Sequence, residues 1–321
     1  MPKTLDVVLL LALPASGKSE VRRYLSLLDP ARLKNEMHLG EQVQLDDYPY
    51  VHLMRRVDQS LKALGKPRLF FKSDAEPMVD GRDWGTLIQL VNEDFDDVAH
   101  GRKTAPESAE QLFQRFDAAR AKVGLPAAFA ALDAKARRAL AVALEADWRD
   151  AVNAKNAAVP ASLAGKSIVI EFARGGPDGS KLPLADPLGY QYSLRQLSPA
   201  ILSRAVALYI WVTPEESRRK NTARADPSDP GSILHHGVPT EVMMKDYGCD
   251  DLAYLLDQSD RPGSLRIEAH GRVFNLPTAR FDNRVDRTSF AREPKEKWPA
   301  PSVEALHRGL AEAFGKLAAA R

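Results

Sequence analysis

Residues 12–19 of this 321-residue chain, Ala-Leu-Pro-Ala-Ser-Gly-Lys-Ser, have the types and spacing of a loop that binds phosphate groups. Gly17 lets the backbone approach a phosphate without a Cβ in the way, and successive N–H groups at a helix start can surround an anion. Lys18 would place its ammonium group on the β- and γ-phosphates of a nucleotide, and the Ser19 hydroxyl would ligate Mg²⁺. We therefore predict a site for ATP and Mg²⁺ that is formed by Pro14, Ala15, Ser16, Gly17, Lys18, Ser19 and Glu20.

The residues on either side place this loop between a strand and a helix. Residues 7–13 are a continuous apolar run, which is typical of a buried strand. After the loop, Val21, Leu25 and Leu28 follow the i, i+4, i+7 spacing of one apolar helix face. Ala12 stands where the pattern usually begins with glycine. Strand, loop and helix are the setting that phosphate binding requires, and the alternative is a surface turn that matches by chance.

Three further segments predict strands that end in polar residues. Residues 167–172 and 205–212 are mostly apolar, and a short apolar–polar alternation covers 42–47. In open parallel sheets, ligands bind beyond the carboxyl ends of the strands. The polar residues that fall at such ends are Gly17, Asp46, Glu171 and Thr213.

Strands that alternate with helices predict a three-layer α/β fold with a mainly parallel sheet. Residues 104–164 are rich in alanine and carry two amphipathic stripes, so they predict a helical insertion between two parts of a core, 1–103 and 165–321. The insertion would form part of an acceptor site, or else a packing or dimer surface. A hairpin at 265–281 and an amphipathic helix at 303–317 are also predicted.

The stretch ALPASGKSEVRRYL, followed by QLDDYP, resembles the zeta-toxin and polynucleotide-kinase branch of the P-loop kinases. The resemblance covers about the first 50 residues well and continues in outline to about residue 225. It implies a P-loop NTPase fold and a role for Asp46 as the base that accepts a proton from the hydroxyl being phosphorylated. Asp46 could instead cap a helix or hold a metal-bound water, although Asp47 is the favoured cap. Pro49 breaks the pattern where this branch often has an arginine, and Arg55 or Arg56 would substitute.

Phosphoryl transfer also needs cations around the transferring group and oxygen ligands for the metal. Glu171 is a candidate for orienting metal-bound water or for gripping a substrate hydroxyl, and its alternative is a salt bridge with Arg174. Arg174 precedes two glycines and is a candidate for substrate binding, with an exposed turn as its alternative. The predicted metal ligands are Ser19 and Glu171, and the predicted substrate ligands are Asp46, Glu171 and Arg174.

The segment 213–239 resembles the lid of nucleoside- and nucleotide-kinase-like enzymes. It begins with Thr213 as a helix cap, followed by proline at the first helical position and glutamate at the third. The basic residues of this helix are Arg218, Arg219, Lys220 and Arg224. Lys220 and Arg224 share one face and could meet one anion, with Asn221 beside them, whereas a solvated charged face is the alternative. The predicted catalytic residues are Lys18, Asp46, Arg218 and Arg224.

Composition limits the partners. The formal net charge of +2 argues against a nucleic acid partner, and no segment approaches the length of a membrane span. Cys249 is the single cysteine, which excludes an internal disulfide framework and is consistent with a reducing cytoplasm. The apolar N-terminal run is interpreted as strand and loop rather than as a secretory signal. His235-His236 has no zinc-ligand spacing around it. Residues 281–287 alternate in charge and are predicted to lie at the surface, or else to cover the adenine.

Together these features predict ATP-dependent, Mg²⁺-assisted phosphoryl transfer to a hydroxyl or phosphate of a small molecule. A nucleoside, a nucleotide and a nucleotide-sugar are the candidate acceptors. The alternatives are a polynucleotide end kinase, which should present a basic, aromatic-lined channel, and a regulatory ATPase that uses nucleotide only for conformational change.

Overall fold

Six strands form one sheet in the computed structural model, which describes residues 4–224 and 237–321, with the backbone alone at Arg224. In chain order the strands are β1 (Val7–Leu11), β2 (Glu41–Asp46), β3 (Lys166–Phe172), β4 (Ala205–Trp211), β5 (Ser264–Ala269) and β6 (Arg272–Asp282). Their order across the sheet is β2-β3-β1-β4-β6-β5. All neighbouring pairs are parallel except β5 and β6, which form the predicted hairpin.

Twelve α-helices occur in the parts of the chain just named. They are α1 (Lys18–Ser26), α2 (Pro30–Met37), α3 (Tyr48–Ala63), α4 (Asp83–Ala99), α5 (Glu110–Lys122), α6 (Ala134–Ala158), α7 (Gly189–Arg195), α8 (Pro199–Leu202), α9 (Pro214–Arg224), α10 (Thr240–Lys245), α11 (Leu252–Asp257) and α12 (Ala300–Ala319). Among them, no helix combines the length and the apolar character that crossing a membrane would take.

Helices cover both faces of the sheet, which explains why its central strands are continuously apolar. Along β1, Val7, Leu9 and Leu11 pack into a core with α4, α7 and α8. The alternate residues Val8 and Leu10 pack into a second core with α1, α2 and α12. Successive side chains of a strand point to opposite faces, so burial of both faces requires apolar residues at every position. The predicted α/β class with a mainly parallel sheet is confirmed.

The chain between β2 and β3 forms a separate helical layer with its own apolar core. The predicted insertion, 104–164, contains α5 and α6. Their buried residues, among them Phe116 and Trp148, pack with residues of α3 and α4 such as Met54 and Leu87. The helical layer therefore includes the two helices before the insertion, because their apolar faces meet those of α5 and α6 rather than those of the sheet alone.

Candidate functional site

A cavity of about 300 Å³ opens beyond the carboxyl ends of β1, β2 and β3. Of the residues predicted from the sequence to form the site, those that line it are Pro14, Ala15, Gly17, Lys18, Ser19, Glu20, Asp46, Glu171 and Arg174. Ser16 is fully buried behind the loop, and Thr213 caps α9 by accepting a hydrogen bond from the N–H of Glu216 at 3.2 Å. Most of the predicted site is thus brought together in one place.

The loop between β1 and α1 is held by hydrogen bonds to its carbonyl oxygens. The hydroxyl of Ser217 donates to the carbonyl of Pro14 at 2.8 Å, and the Asn283 amide donates to the carbonyl of Ser16 at 2.8 Å. Gly17 has a φ of 107°, and a Cβ there would lie 2.5 Å from the Thr288 hydroxyl oxygen. Only glycine fits this position, because both the backbone angle and the close neighbour exclude a side chain.

Three N–H groups of the same loop have no partner among the described residues. Within residues 4–224 and 237–321, the N–H groups of Ala15, Ser16 and Gly17 donate no hydrogen bond. Ala15 also has a positive φ of 56°, which is uncommon for a residue with a side chain. A backbone segment attracts anions when its carbonyl oxygens already accept hydrogen bonds and its N–H groups have no acceptor. The attraction is stronger at the start of a helix such as α1.

Lys18 begins α1 and lies against this loop. Its side chain is buried, and Nζ donates to the carbonyl oxygens of Ala12 and Leu13 at 3.1 Å each. The Tyr190 hydroxyl accepts from the N–H of Ala12 at 2.8 Å and lies 2.9 Å from its carbonyl oxygen. Ala12 does not have a positive φ, so alanine is accommodated where the pattern usually has glycine.

Asp46 and Glu171 lie side by side, because they are register partners at the ends of β2 and β3. Like charges placed opposite each other on neighbouring strands repel. Arg22 lies between them: its Nη1 atom is 2.7 Å from a Glu171 oxygen and 3.1 Å from an Asp46 oxygen. Glu171 therefore pairs with Arg22, and the alternative pairing with Arg174 is wrong. Arg22 was missed, although it follows Lys18 by four residues on the same face of α1.

The surroundings of Asp46 change its acidity. Burial, with the neighbouring charge of Glu171, raises the pKa of Asp46 to about 7, and the charge of Arg22 opposes the rise. One carboxylate oxygen of Asp46 also accepts the N–H of Tyr48 at 2.6 Å. A carboxylate that titrates near neutral pH can exchange a proton at physiological pH, as a general base must.

Asp47 and Arg174 form a buried ion pair in the cavity wall. Arg174 Nη1 donates to a carboxylate oxygen of Asp47 at 2.7 Å, and the Arg174 side chain is only 2% exposed. Its other groups donate to the Ser193 hydroxyl and to the carbonyl of Trp84. Asp47 is the N-cap residue of α3, as predicted, but its carboxylate makes no capping hydrogen bond because it pairs with Arg174. The exposed-turn alternative for Arg174 is also wrong.

Part of the segment after β6 packs on the loop, whereas residues 284–287 are exposed as predicted. Asn283 is fully buried and donates to the loop, as described above, and Asp286 accepts a hydrogen bond from Lys220 Nζ at 2.8 Å. Arg292 donates to Glu20 at 2.6 Å. The surface prediction for 281–287 is therefore wrong at Asn283. A run of alternating charges predicts a solvated face, because the sequence does not show which partners from distant parts of the chain will pair with those charges.

The structure describes only some of the predicted lid residues. Lys220 is 1% exposed and paired with Asp286, so the solvated-face alternative is wrong for this residue. Arg218 pairs with Glu215 at 3.3 Å and lies 3.7 Å from Asp178, away from the residues that line the cavity. The side chain of Arg224, the segment 225–236 and the pair His235-His236 lie outside the described residues.

The oxygen ligands at this end of the cavity are few. Ser19 and Glu171 both line it, and Asp46 is beside Glu171. No group of three or more His, Cys, Asp and Glu side chains that could hold a metal occurs in the described chain. A hydroxyl with one or two carboxylates fits Mg²⁺ that takes its remaining ligands from phosphates and water. These residues therefore fit a metal that arrives with a nucleotide.

Sequence reasoning did not predict the other end of the cavity. Its wall is apolar and aromatic and carries a few charges; the residues are Val51, Arg55, Phe71, Asp74, Trp84, Val238, Val242, Asp246 and Tyr247. They come from α3, α4, α10 and intervening loops, so no local spacing in the sequence connects them.

Comparison with protein-family models, with curated proteins and with solved structures found no match to this chain.

Proposed function

We propose that this protein is an ATP-dependent kinase with a P-loop NTPase core, which transfers a phosphoryl group to a hydroxyl or phosphate of a small molecule. One observation carries the proposal. Ala15 and Gly17, whose N–H groups have no partner among the described residues, line one cavity with Lys18 and Asp46, and Ser16 between them also has an open N–H group. An anion site, a cation and a basic carboxylate are the groups that phosphoryl transfer requires.

The topology supports the same function. The loop follows β1, and β1 lies between β3 and β4 in the interior of the sheet. Asp46 and Glu171 end the two strands on one side of it. Groups at the carboxyl ends of adjacent parallel strands converge on a bound ligand.

In the proposed reaction the loop N–H groups hold the β- and γ-phosphates, and Lys18 shifts from the Ala12 and Leu13 carbonyls onto them. Ser19 and Glu171 would hold Mg²⁺, which when bound neutralises charge on the phosphates. Asp46 accepts the proton of the acceptor hydroxyl as its oxygen attacks the γ-phosphorus, and the bond to the β-phosphate oxygen breaks. The products are ADP and the phosphorylated acceptor.

A small-molecule acceptor fits the cavity better than a polynucleotide does. The volume of about 300 Å³ is at the lower end of the usual range for small-ligand sites. Its aromatic end could take one ring, whereas a strand would need a continuous channel. The test of the reaction is a screen of a metabolite extract with γ-labelled ATP. Transfer of label to a discrete small molecule is expected, whereas label released only as inorganic phosphate would favour a regulatory ATPase.

Lys18→Ala should weaken MgATP binding by roughly 10- to 100-fold, because a charged hydrogen bond contributes about 1.5–3 kcal/mol. Titration calorimetry with MgATP measures the effect. Lys62→Ala is the control, since that side chain is 69% exposed and should leave the affinity unchanged. Equal affinities of wild type and Lys18→Ala would contradict the phosphate assignment.

The acidic limb of the pH profile should report Asp46. Because the base must be ionised, kcat/KM should rise with pH and level off above an apparent pKa near 7. Arg22 lowers the pKa of Asp46, so Arg22→Met should move the limb to higher pH by roughly one unit or more. Rates would be measured between pH 5.5 and 9 with the acceptor that the label screen identifies. If the acidic limb of Arg22→Met lay at the same pH as that of wild type, Arg22 would have no influence on the titration of Asp46.

A further inference from the structure

The aromatic end of the cavity has one polar group that the described protein does not satisfy. Asp246 lines the cavity and is 6% exposed, and its Oδ2 atom has no hydrogen-bond partner among the described residues. Buried polar atoms are nearly always paired, and leaving one unpaired costs about 1–3 kcal/mol. An unpaired carboxylate oxygen in a cavity wall is therefore a place where a ligand can supply a donor.

Aromatic residues line the same cavity as this carboxylate. The rings of Trp84 and Tyr247 have centroids 5.8 Å apart and an interplanar angle of 66°. Phe71 forms another part of the wall and carries the guanidinium of Arg55 over its ring at 4.1 Å. Flat apolar surfaces of this kind bind planar rings by stacking and edge contacts.

Two sets of contacts hold these walls in place. Asp58 is fully buried, and its carboxylate accepts the N–H groups of Leu69 and Phe71 at 2.7 Å each. On the opposite side, a Cβ on Gly175 would lie 2.5 Å from the carbonyl oxygen of Cys249, so the loop after β3 packs directly on the segment that carries Asp246 and Tyr247. The walls are therefore built by tertiary contacts and are not an open surface.

The charges near Asp246 indicate which kind of donor it takes. Burial raises the pKa of Asp246 to about 6, and the positive charges of Arg55, Lys72 and Lys245 oppose the rise. None of these three cations donates a hydrogen bond to Oδ2, and their charges would repel a positively charged ligand. A neutral N–H donor avoids this repulsion and still satisfies the carboxylate.

We propose that this end of the cavity binds the phosphate acceptor through a planar nitrogen heterocycle, such as a nucleobase. An amino or ring N–H group of the heterocycle donates to Asp246, and the ring packs against Trp84 and Tyr247. This inference rests on the proposed kinase function, because it makes the heterocycle part of the acceptor.

The experiment uses the full chain and four probes: adenosine, guanosine, cytidine and uridine, each titrated in the presence of MgADP. At least one nucleoside should bind the wild-type protein, and Asp246→Asn should weaken that binding at least tenfold. Asp257→Asn is the matched control, because Asp257 does not line the cavity and has a side chain that is 65% exposed and paired with Arg280. Its affinity should remain within threefold of wild type.

A thermal unfolding measurement distinguishes ligand recognition from a structural role. Since Asp246 Oδ2 has no partner in the described protein, Asp246→Asn should unfold at the same temperature as wild type or at a higher one, measured at pH 8. A lower unfolding temperature, or nucleoside binding that Asp246→Asn does not weaken, would overturn the inference.

The outcomes also separate this inference from the proposed function. Binding of MgATP without binding of any of the four nucleosides would overturn the inference and leave the kinase proposal intact. Tighter binding of trimethylphenylammonium than of any nucleoside would also overturn it, because the site would then prefer a cation. Failure of the wild type to bind MgATP would instead remove the proposed function.

Discussion

Asp46→Asn is expected to lower phosphoryl transfer by about 10²- to 10⁴-fold, the usual contribution of a general base. The amide cannot take the proton of the acceptor hydroxyl, but its oxygen can still accept the N–H of Tyr48, so the start of α3 should remain formed. Affinity for MgATP should change by less than about threefold, because the loop N–H groups and Lys18 are intact. The measurements are label transfer from γ-labelled ATP and calorimetric titration with MgATP.

Asp257→Asn provides the matched control for transfer as well. Asp257 is a carboxylate that is largely exposed and does not line the cavity. It should retain transfer close to the wild-type rate. If Asp46→Asn transferred label to the acceptor as fast as the control, Asp46 would not be the base, and the neighbouring Glu171 would be the next residue to replace.

Arg174→Met is expected to destabilise the folded protein by about 3–5 kcal/mol, the usual effect of removing one partner of a buried ion pair. The substitution leaves the Asp47 carboxylate buried without its cation, and it removes donors to the Ser193 hydroxyl and the Trp84 carbonyl. Denaturant unfolding of the full chain measures the loss. Arg32→Met is the control, since the Arg32–Glu36 pair is exposed and should contribute about 0–1 kcal/mol.

The loss should depend on pH in a defined direction. Burial raises the pKa of Asp47 and Arg174 opposes the rise, so removing Arg174 raises the pKa further. A carboxyl group with a raised folded-state pKa binds a proton in the folded state that the unfolded chain has released, and stability then falls as pH rises. The difference between Arg174→Met and wild type should therefore be larger at pH 8 than at pH 5. A difference that is small, or independent of pH, would show that the pair is not essential to the fold.

Local sequence was sufficient for the elements and for much of the predicted site. The apolar run of β1, the loop up to Gly17 and the apolar face of α1 are consecutive, so their pattern could be interpreted without knowing the rest of the chain. The polar ends of β2 and β3 were predicted by the same means. Parallel strands in one sheet then bring Asp46 and Glu171 together automatically, because their carboxyl ends meet at one edge.

The partners of the charged residues could not be predicted in this way. Closeness in sequence makes Glu171 one predicted partner of Arg174. The partner in the structure is Asp47, which is 127 residues away. The alternating charges around Asn283 predict an exposed residue. In the structure Asn283 is buried and donates a hydrogen bond to the carbonyl of Ser16. In a folded protein a charged group pairs with whatever the packing of distant elements brings near, and sequence separation carries no information about that.

The chain by itself thus predicted strands β1 to β4, the loop proposed to hold an anion, and which strand ends carry carboxylates, since each depends on residues within a few positions of one another. Tertiary structure alone decided that Arg22 bridges Asp46 and Glu171, that Asp47 is committed to Arg174, and that Trp84 and Tyr247 form one wall with Asp246. The reason is that burial and proximity, which set pKa values and leave Asp246 Oδ2 without a partner, arise only when distant segments pack.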